Sequence, residues 1–70
     1  MLAGNATTED WIRLIRAEFL EFPGMVLTEP QVRRLWNLDA ATCMTVLNEL
    51  VRSGFLTRTR SYGYARARNY

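Results

Sequence analysis

The sequence predicts a mainly α-helical domain that ends in a small β-hairpin, an α+β fold in the order helix, short strand, helix, helix, strand, strand. Apolar residues recur at helical spacing in three segments, and each segment begins at a residue that commonly caps a helix. The last segment, residues 55–68, instead alternates as strands do. Seventy residues suffice for one small core. We therefore expect a single domain over residues 7–70, after a disordered N-terminus at residues 1–6.

The first predicted helix begins at Thr7 or Thr8 and ends before Pro23-Gly24. Thr7 and Asp10 have the spacing of a capping box, in which each side chain accepts the backbone N–H of the other residue. The apolar residues of this helix form one wide face that we expect to be buried. They are Trp11, Ile12, Ile15, Phe19 and Phe22.

Residues 25–27 are too few for a helix and fit a short extended segment. A second helix follows, because Thr28 and Gln31 form another capping box and Pro30 lies in the first turn, where a missing N–H costs nothing. Asn37 fits a left-handed position at the end of this helix. The residues expected to face inward are Val32, Leu35 and Trp36.

The third predicted helix spans residues 39–53, with Asp39 as its cap and Gly54 as the left-handed residue that ends it. Its apolar stripe is built by Cys43, Val46, Leu47 and Leu50. At 100° per residue, the opposite side carries Ala41, Thr45, Asn48 and Arg52. The free cysteine is expected to act as a small core hydrophobe.

Charge is distributed unevenly along the chain. Residues 1–51 contain four arginines and seven carboxylates, whereas residues 52–70 contain five arginines and no carboxylate. A basic segment of this kind predicts an anionic partner; the alternative is a solvated sheet edge whose charge prevents aggregation. Whether the hairpin arginines lie on one face of the sheet depends on how the two strands pair. The turn Ser61-Tyr62-Gly63 fits a loop of either two or three residues, so the pairing stays open.

Several function classes are disfavoured by residues that the sequence lacks. It contains no histidine, and its single cysteine has no imidazole partner, so we expect neither an enzyme nor a metal site. The glycines are isolated and form no phosphate-binding loop, so no cofactor and no small-molecule substrate is expected. A single cysteine and the lack of a long apolar run favour a cytoplasmic protein without a membrane partner.

The segment LDAATCMTVLNELVRSGFLTRTRSYGYARAR, residues 38–68, resembles the recognition helix and wing of winged helix-turn-helix regulators of the MarR and ArsR kind. The matching features are the second helix capped by Thr28, the entry at Leu38-Asp39, the pair Leu47-x-x-Leu50 and the step Gly54-Phe55-Leu56. The resemblance covers about residues 8–68. It implies that the third helix enters the major groove of double-stranded DNA and that the wing contacts the backbone.

Carried over residue by residue, the resemblance implies base-facing positions at Ala40, Ala41, Thr42, Met44, Thr45 and Asn48. It implies phosphate contacts from Thr28, Gln31, Arg52, Arg58, Arg60, Tyr62, Arg66 and Arg68, with backbone amides contributing at the start of the second helix. Asn48 can contact adenine or remain solvated, and Tyr62 can stack on nucleic acid or pack on the hairpin.

The function expected from this resemblance is that of a small bacterial or phage-type transcription regulator, active as a homodimer or with a protein partner. The alternative is a protein-interaction module that docks an acidic partner without DNA. Two features motivate it: apolar residues on the third helix, and the lack of the extra helices through which such regulators dimerise.

Overall fold

In a computed structural model, which describes residues 6–67, three helices and three strands follow one another in the predicted order. The elements are α1 (Thr8–Glu21), β1 (Leu27–Thr28), α2 (Glu29–Trp36), α3 (Ala40–Arg52), β2 (Leu56–Arg58) and β3 (Gly63–Arg66). The α+β class is confirmed. Of the segment predicted to be disordered, residues 1–6, all but Ala6 lies outside the described residues, and so does the predicted phosphate contact of Arg68.

The predicted helix starts are confirmed by their hydrogen bonds. Thr7 caps α1, because its hydroxyl accepts the Asp10 N–H at 3.1 Å while the Asp10 carboxylate accepts the Thr7 N–H at 3.0 Å. Thr28 and Gln31 form the same reciprocal box at α2, at 3.3 and 2.8 Å. Asp39 caps α3. Each cap satisfies N–H groups that have no partner within the helix.

The two predicted left-handed positions are also confirmed, at the ends of α2 and α3. Asn37 has φ 53° and Gly54 has φ 85°. At the end of α3 the Gly54 N–H donates to the Val51 carbonyl and the Phe55 N–H donates to the Leu50 carbonyl, both at 3.0 Å. This pair of bonds is the Schellman motif, so α3 has a defined end as well as a defined start.

The core lies where α1 and α2 pack against α3 and where the sheet closes one side. Its buried residues include the whole predicted stripe of α3, with Ile15 and Phe19 from α1, Val32 from α2, and Leu38, Leu56 and Tyr64. No helix within residues 6–67 is long and apolar enough to cross a membrane.

Two residues predicted to face inward do not. Phe22 is 52% exposed because it follows the last turn of α1 at φ −124° and ψ 77°, and so leaves the helical face on which it was counted. Leu35 is 59% exposed. Among the described elements, α2 packs mainly against α3 and β1, so its buried stripe is narrow and is supplied by Val32 and Trp36.

The three strands form an antiparallel sheet in the order β1-β3-β2. Residue 27 is the only part of the predicted segment 25–27 that lies in β1, where Leu27 pairs with Tyr64. The hairpin strands differ from the prediction at their inner ends, since β2 ends at Arg58 and β3 already begins at Gly63, within the segment assigned to the turn. The Thr59 N–H donates to the Gly63 carbonyl at 2.9 Å, which leaves a three-residue loop, residues 60–62.

The assignment of Gly63 to the turn is wrong. The left-handed residue of the loop is Tyr62, at φ 63°, whereas Gly63 lies buried in β3. A Cβ at position 63 would lie 2.7 Å from Val26 Cγ1 and 3.1 Å from Thr59 Oγ1. Glycine is therefore needed here for the close approach of neighbouring side chains, and not for backbone conformation.

Candidate functional site

The side of α3 opposite the core faces solvent. Of the six base-facing candidates, Thr42 is half-buried on the flank of the helix. The exposed five are Ala40, Ala41, Met44, Thr45 and Asn48. None of the six is charged, and an uncharged helix face of this kind can approach another surface closely without burying an ion.

The hydroxyl groups on α3 are held by local hydrogen bonds. The Thr42 hydroxyl donates to Asp39 Oδ1 at 2.7 Å, and the Thr42 N–H donates to Asp39 Oδ2 at 3.1 Å. These bonds from the hydroxyl and the amide of Thr42 hold the pKa of Asp39 below its ordinary value. The Thr45 hydroxyl donates to the Ala41 carbonyl at 2.9 Å. The sequence identified Asp39 as a cap only; the structure adds a fixed, exposed carboxylate at the start of α3.

Arg52, one of the predicted phosphate contacts, already has an anionic partner. Its Nη2 and Nε donate to the two carboxylate oxygens of Glu49 at 2.7 and 3.3 Å. The bond to Arg52 lowers the pKa of Glu49, and the same bond raises the pKa of Arg52. Both side chains remain largely solvated, so the pair is weak enough to open. Glu49 occupies two of the five N–H donors of Arg52 and offsets its charge, which weakens its attraction to a phosphate.

The register settles how the hairpin arginines are arranged. Arg66 lies opposite Leu56 and Arg58 lies opposite Tyr64, which places both arginines on the face of the sheet that carries these two core residues. Arg58 reaches over the Tyr64 ring, with its Cζ 5.7 Å from the ring centroid. Such cation–π contacts orient a guanidinium without neutralising its charge. Arg58 is therefore held at the margin of the core and keeps its full positive charge.

Arg66 is held at the base of the hairpin by Phe55. Its Cζ lies 5.5 Å from the Phe55 ring centroid, and Arg16 of α1 lies over the same ring at 4.9 Å. The buried Nε of Arg66 has no hydrogen-bond partner. Arg16 was not among the predicted contacts, because only the tertiary fold brings α1 to the hairpin. Within residues 6–67 neither arginine has a carboxylate within 4.0 Å.

The loop at the end of the hairpin is the most exposed part of the candidate site. Arg60 lies in it without a carboxylate partner among the described residues, and Tyr62 is 89% exposed. By contrast, Tyr64 is 5% exposed and belongs to the core. Of the two roles considered for Tyr62, packing on the hairpin is contradicted by this exposure, and its phenol ring is available to a partner.

The start of α2 offers fewer donors than predicted. The capping box uses the backbone N–H groups of Thr28 and Gln31, and Pro30 has none. The backbone amides proposed for phosphate binding at Thr28 and Gln31 are therefore occupied. At these two residues, the donors that remain are the hydroxyl hydrogen of Thr28 and the side-chain NH₂ of Gln31.

An open groove of about 430 Å³ separates the start of α2 from the hairpin. It is lined by Thr28, Glu29, Pro30, Arg58, Thr59, Tyr62 and Tyr64. The groove is adjacent to α3, because the Cys43 thiol donates to the Glu29 carbonyl at 3.8 Å. Three of the predicted contacts, Thr28, Arg58 and Tyr62, thus meet around one concave surface.

Comparison with protein-family models, with curated protein sequences and with solved structures finds no significant match to this chain. Its function must therefore be inferred from the residues and their geometry.

The predicted residues fall into two surfaces. The first is the exposed side of α3, to which the structure adds Asp39. The second is the hairpin with the start of α2, where Arg58, Arg60 and Tyr62 are accessible and Arg66 is partly enclosed. Arg52 joins neither surface as a free cation, since Glu49 binds it.

Proposed function

We propose that this protein is a winged helix-turn-helix domain that binds double-stranded DNA as a small transcription regulator. In this proposal α3 is the recognition helix, which lies in the major groove, and the hairpin of residues 55–68 is the wing, which contacts the phosphate backbone. The observation that carries the proposal is a helix docked by one face only. Its opposite face is exposed and uncharged from Ala40 to Asn48, and the hairpin that follows has no carboxylate.

The shape of α3 supports insertion into a groove. The helix has a cap at each end and four fully or nearly fully buried side chains along one stripe, so its exposed face is held rigidly. The major groove of B-DNA admits an α-helix. A rigid helix loses little conformational freedom on binding, which favours affinity.

The charges of the hairpin support contact with phosphates. Arg58 and Arg60 have no carboxylate partner within the described residues, and Arg60 is exposed on the loop. Neutralising phosphates with arginine releases condensed counterions, and this release supplies most of the affinity for DNA that does not depend on sequence. Arg66 contributes less, because it is already packed on Phe55.

A second candidate function is a protein-interaction module. It is favoured by two apolar side chains on the helices, Leu35 at 59% exposure and Met44 at 36%. The carboxylates of Asp39 and Glu49 also lie on α3, where they would weaken attraction to phosphates. In this alternative the arginines of the hairpin bind an acidic protein instead of DNA.

Titration of fluorescent random duplex DNA at two salt concentrations tests the proposal, with amide NMR to map the contacts. We expect affinity to fall steeply with salt and shifts to concentrate on α3 and the hairpin. Arg60→Glu should weaken binding and lower the magnitude of the salt slope by about 0.9, the contribution of one phosphate contact. Arg13→Glu is the matched control, because Arg13 is exposed on α1, which packs on the core side of α3.

Two results would decide against DNA. One is no binding at low salt; the other is equal binding by the Arg60 and Arg13 variants. If a nuclease-resistant protein partner is then recovered in stoichiometric amount, and if Arg60→Glu releases it, the protein-interaction function is supported instead.

A further inference from the structure

We propose that the first two turns of α3 select the exocyclic amino groups of DNA bases, the N4 amino group of cytosine or the N6 amino group of adenine. The inference rests on the proposed function and adds the chemistry by which α3 would discriminate between sites. It follows from the hydrogen bonds that the side chains of α3 already make, which leave them able to accept hydrogen bonds but not to donate them.

Two hydroxyl groups on this part of α3 have already used their hydrogen. Thr42 donates its hydroxyl hydrogen to the Asp39 carboxylate, and Thr45 donates its hydroxyl hydrogen to the Ala41 carbonyl. A threonine hydroxyl has one hydrogen and two lone pairs. Towards a partner, each hydroxyl therefore offers lone pairs only.

The other side chains on this part of the helix add no donor. Asp39 is exposed and ionised, and a carboxylate accepts hydrogen bonds without donating any. Its two bonds from Thr42 leave further lone pairs on both oxygens. Ala40, Ala41 and Met44 carry no polar hydrogen on their side chains. Up to Thr45, the exposed side chains of α3 present acceptors and methyl groups.

Only two base groups donate hydrogen bonds into the major groove. They are the N4 amino group of cytosine and the N6 amino group of adenine, whereas guanine O6 and N7 and thymine O4 are acceptors. An acceptor on α3 that faces an acceptor on a base leaves both groups desolvated and unpaired, which costs more than a bond gains. Asn48, one turn further along α3, both donates and accepts and is not bound by this restriction.

The test starts from sites selected from random duplexes by the full chain. Binding is then measured after each contacted adenine is replaced by purine, or each contacted cytosine by pyrimidin-2-one, which remove the amino group alone. We expect affinity to fall about tenfold at one or two positions, in line with the discrimination given by a good base contact. Replacements elsewhere in the site control for weakened base pairing.

Asp39→Asn tests the assignment from the protein side. Asparagine caps helices about as well as aspartate, so α3 is retained, while its amide adds a donor. We expect the preferred base at one position to change from cytosine or adenine to guanine or thymine. Asp10→Asn is the matched control, because the Asp10 carboxylate also accepts a backbone N–H at the start of a helix, from Thr7 in the capping box of α1. Circular dichroism verifies that both variants fold.

The outcomes separate this inference from the proposed function. Salt-dependent binding without loss at any missing amino group overturns the inference and leaves DNA binding intact. Unchanged base preference in Asp39→Asn overturns the role of Asp39. Failure of the natural chain to bind any duplex at low salt overturns both the inference and the proposed function.

Discussion

Replacing Gly63 by alanine tests how closely the hairpin and β1 fit together. The new methyl group would lie 2.7 Å from Val26 Cγ1 and 3.1 Å from Thr59 Oγ1. Thr59 Oγ1 also accepts the Gly63 N–H at 2.9 Å, so it cannot retreat without weakening that bond. Overpacking costs about 1–3 kcal/mol, and the reduced freedom of the unfolded chain returns about 0.4–1 kcal/mol. We expect a net loss of about 1–2 kcal/mol.

The measurement is the free energy of unfolding from urea titration, with the midpoint of thermal unfolding as a second probe. For a domain of this size the loss corresponds to a decrease of about 5–15 °C in the midpoint. Gly24→Ala is the matched control, since a Cβ there meets nothing within 4 Å. It should be neutral or stabilising by a few tenths of a kcal/mol.

A double-mutant cycle with Val26→Ala identifies the cause. Val26 is half-exposed, so its truncation alone costs little, but it removes the Cγ1 atom that the new methyl would meet. In this background Gly63→Ala should cost less, with a coupling of about 1 kcal/mol. The steric reasoning is refuted if Gly63→Ala is as stable as the natural chain, or if its cost is the same with and without Val26.

Further predictions concern the site and the core. Glu49→Gln should strengthen DNA binding and steepen its salt dependence, because Arg52 is then free to meet a phosphate. The Cys43 thiol, whose pKa burial raises to about 11, should react slowly with iodoacetamide at pH 8 until urea unfolds the chain. Leu47→Ala should cost about 2–5 kcal/mol in unfolding experiments, whereas Leu35→Ala should cost little, because Leu47 is fully buried and Leu35 is exposed.

Each of these predictions has a result that contradicts it. Glu21→Gln is the control for Glu49→Gln, because it removes an exposed carboxylate from the end of α1. If both variants gain the same affinity for DNA, the effect of Glu49→Gln is due to net charge and not to the release of Arg52. Rapid alkylation of Cys43 in the folded chain would contradict its burial. A large loss of stability in Leu35→Ala would mean that α2 packs on a partner surface, such as a second copy.

Stability at high pH follows from the same thiol. Burial holds the pKa of Cys43 above its value in the unfolded chain, so the folded state keeps its proton where the unfolded state loses it. The stability associated with this group is fully present below about pH 9 and is lost as the pH rises towards 11. Cys43→Ala, which lacks the titrating group, should show a smaller loss over that range in urea titrations at successive pH values.

The features that the sequence predicted well are those decided by near neighbours. The caps at Thr7, Thr28 and Asp39 each depend on a residue three positions away, and all three have the expected bonds. The left-handed residues Asn37 and Gly54 depend on the local backbone alone. Interactions between residues this close in the sequence can be predicted without knowledge of the fold.

The features that were missed depend on distant neighbours. Tyr62 takes the left-handed position of the hairpin loop, and Gly63, which was assigned to the turn, is instead required in β3 by Val26, which lies far away along the chain. Leu35 has an apolar side chain at helical spacing, yet it remains 59% exposed. The periodicity of apolar residues shows which side chains could be buried. Whether they are buried depends on how many helices and strands pack against their own helix.

The candidate site shows the same division. The exposed side of α3 follows from the apolar stripe and was predicted by a helical wheel. The partners of its polar side chains were not, because whether Arg52 binds Glu49 or Thr42 binds Asp39 depends on rotamers that the sequence does not specify. These choices decide which atoms remain free for a partner, and so they bear most directly on function.

The two-residue strand β1 has a consequence for the order in which the chain folds. Leu27 and Thr28 pair with residues that lie beyond α2 and α3 in the sequence, while the hairpin closes between near neighbours. Contacts between distant segments form only after a long loop has closed, which costs entropy. This pairing is therefore expected to form after the helices and the hairpin. With so few hydrogen bonds it is also expected to open first, at a free energy below that of global unfolding. Faster amide hydrogen exchange in β1 than in the helices would then show that the contact between the hairpin and α2 opens locally while the helices stay packed.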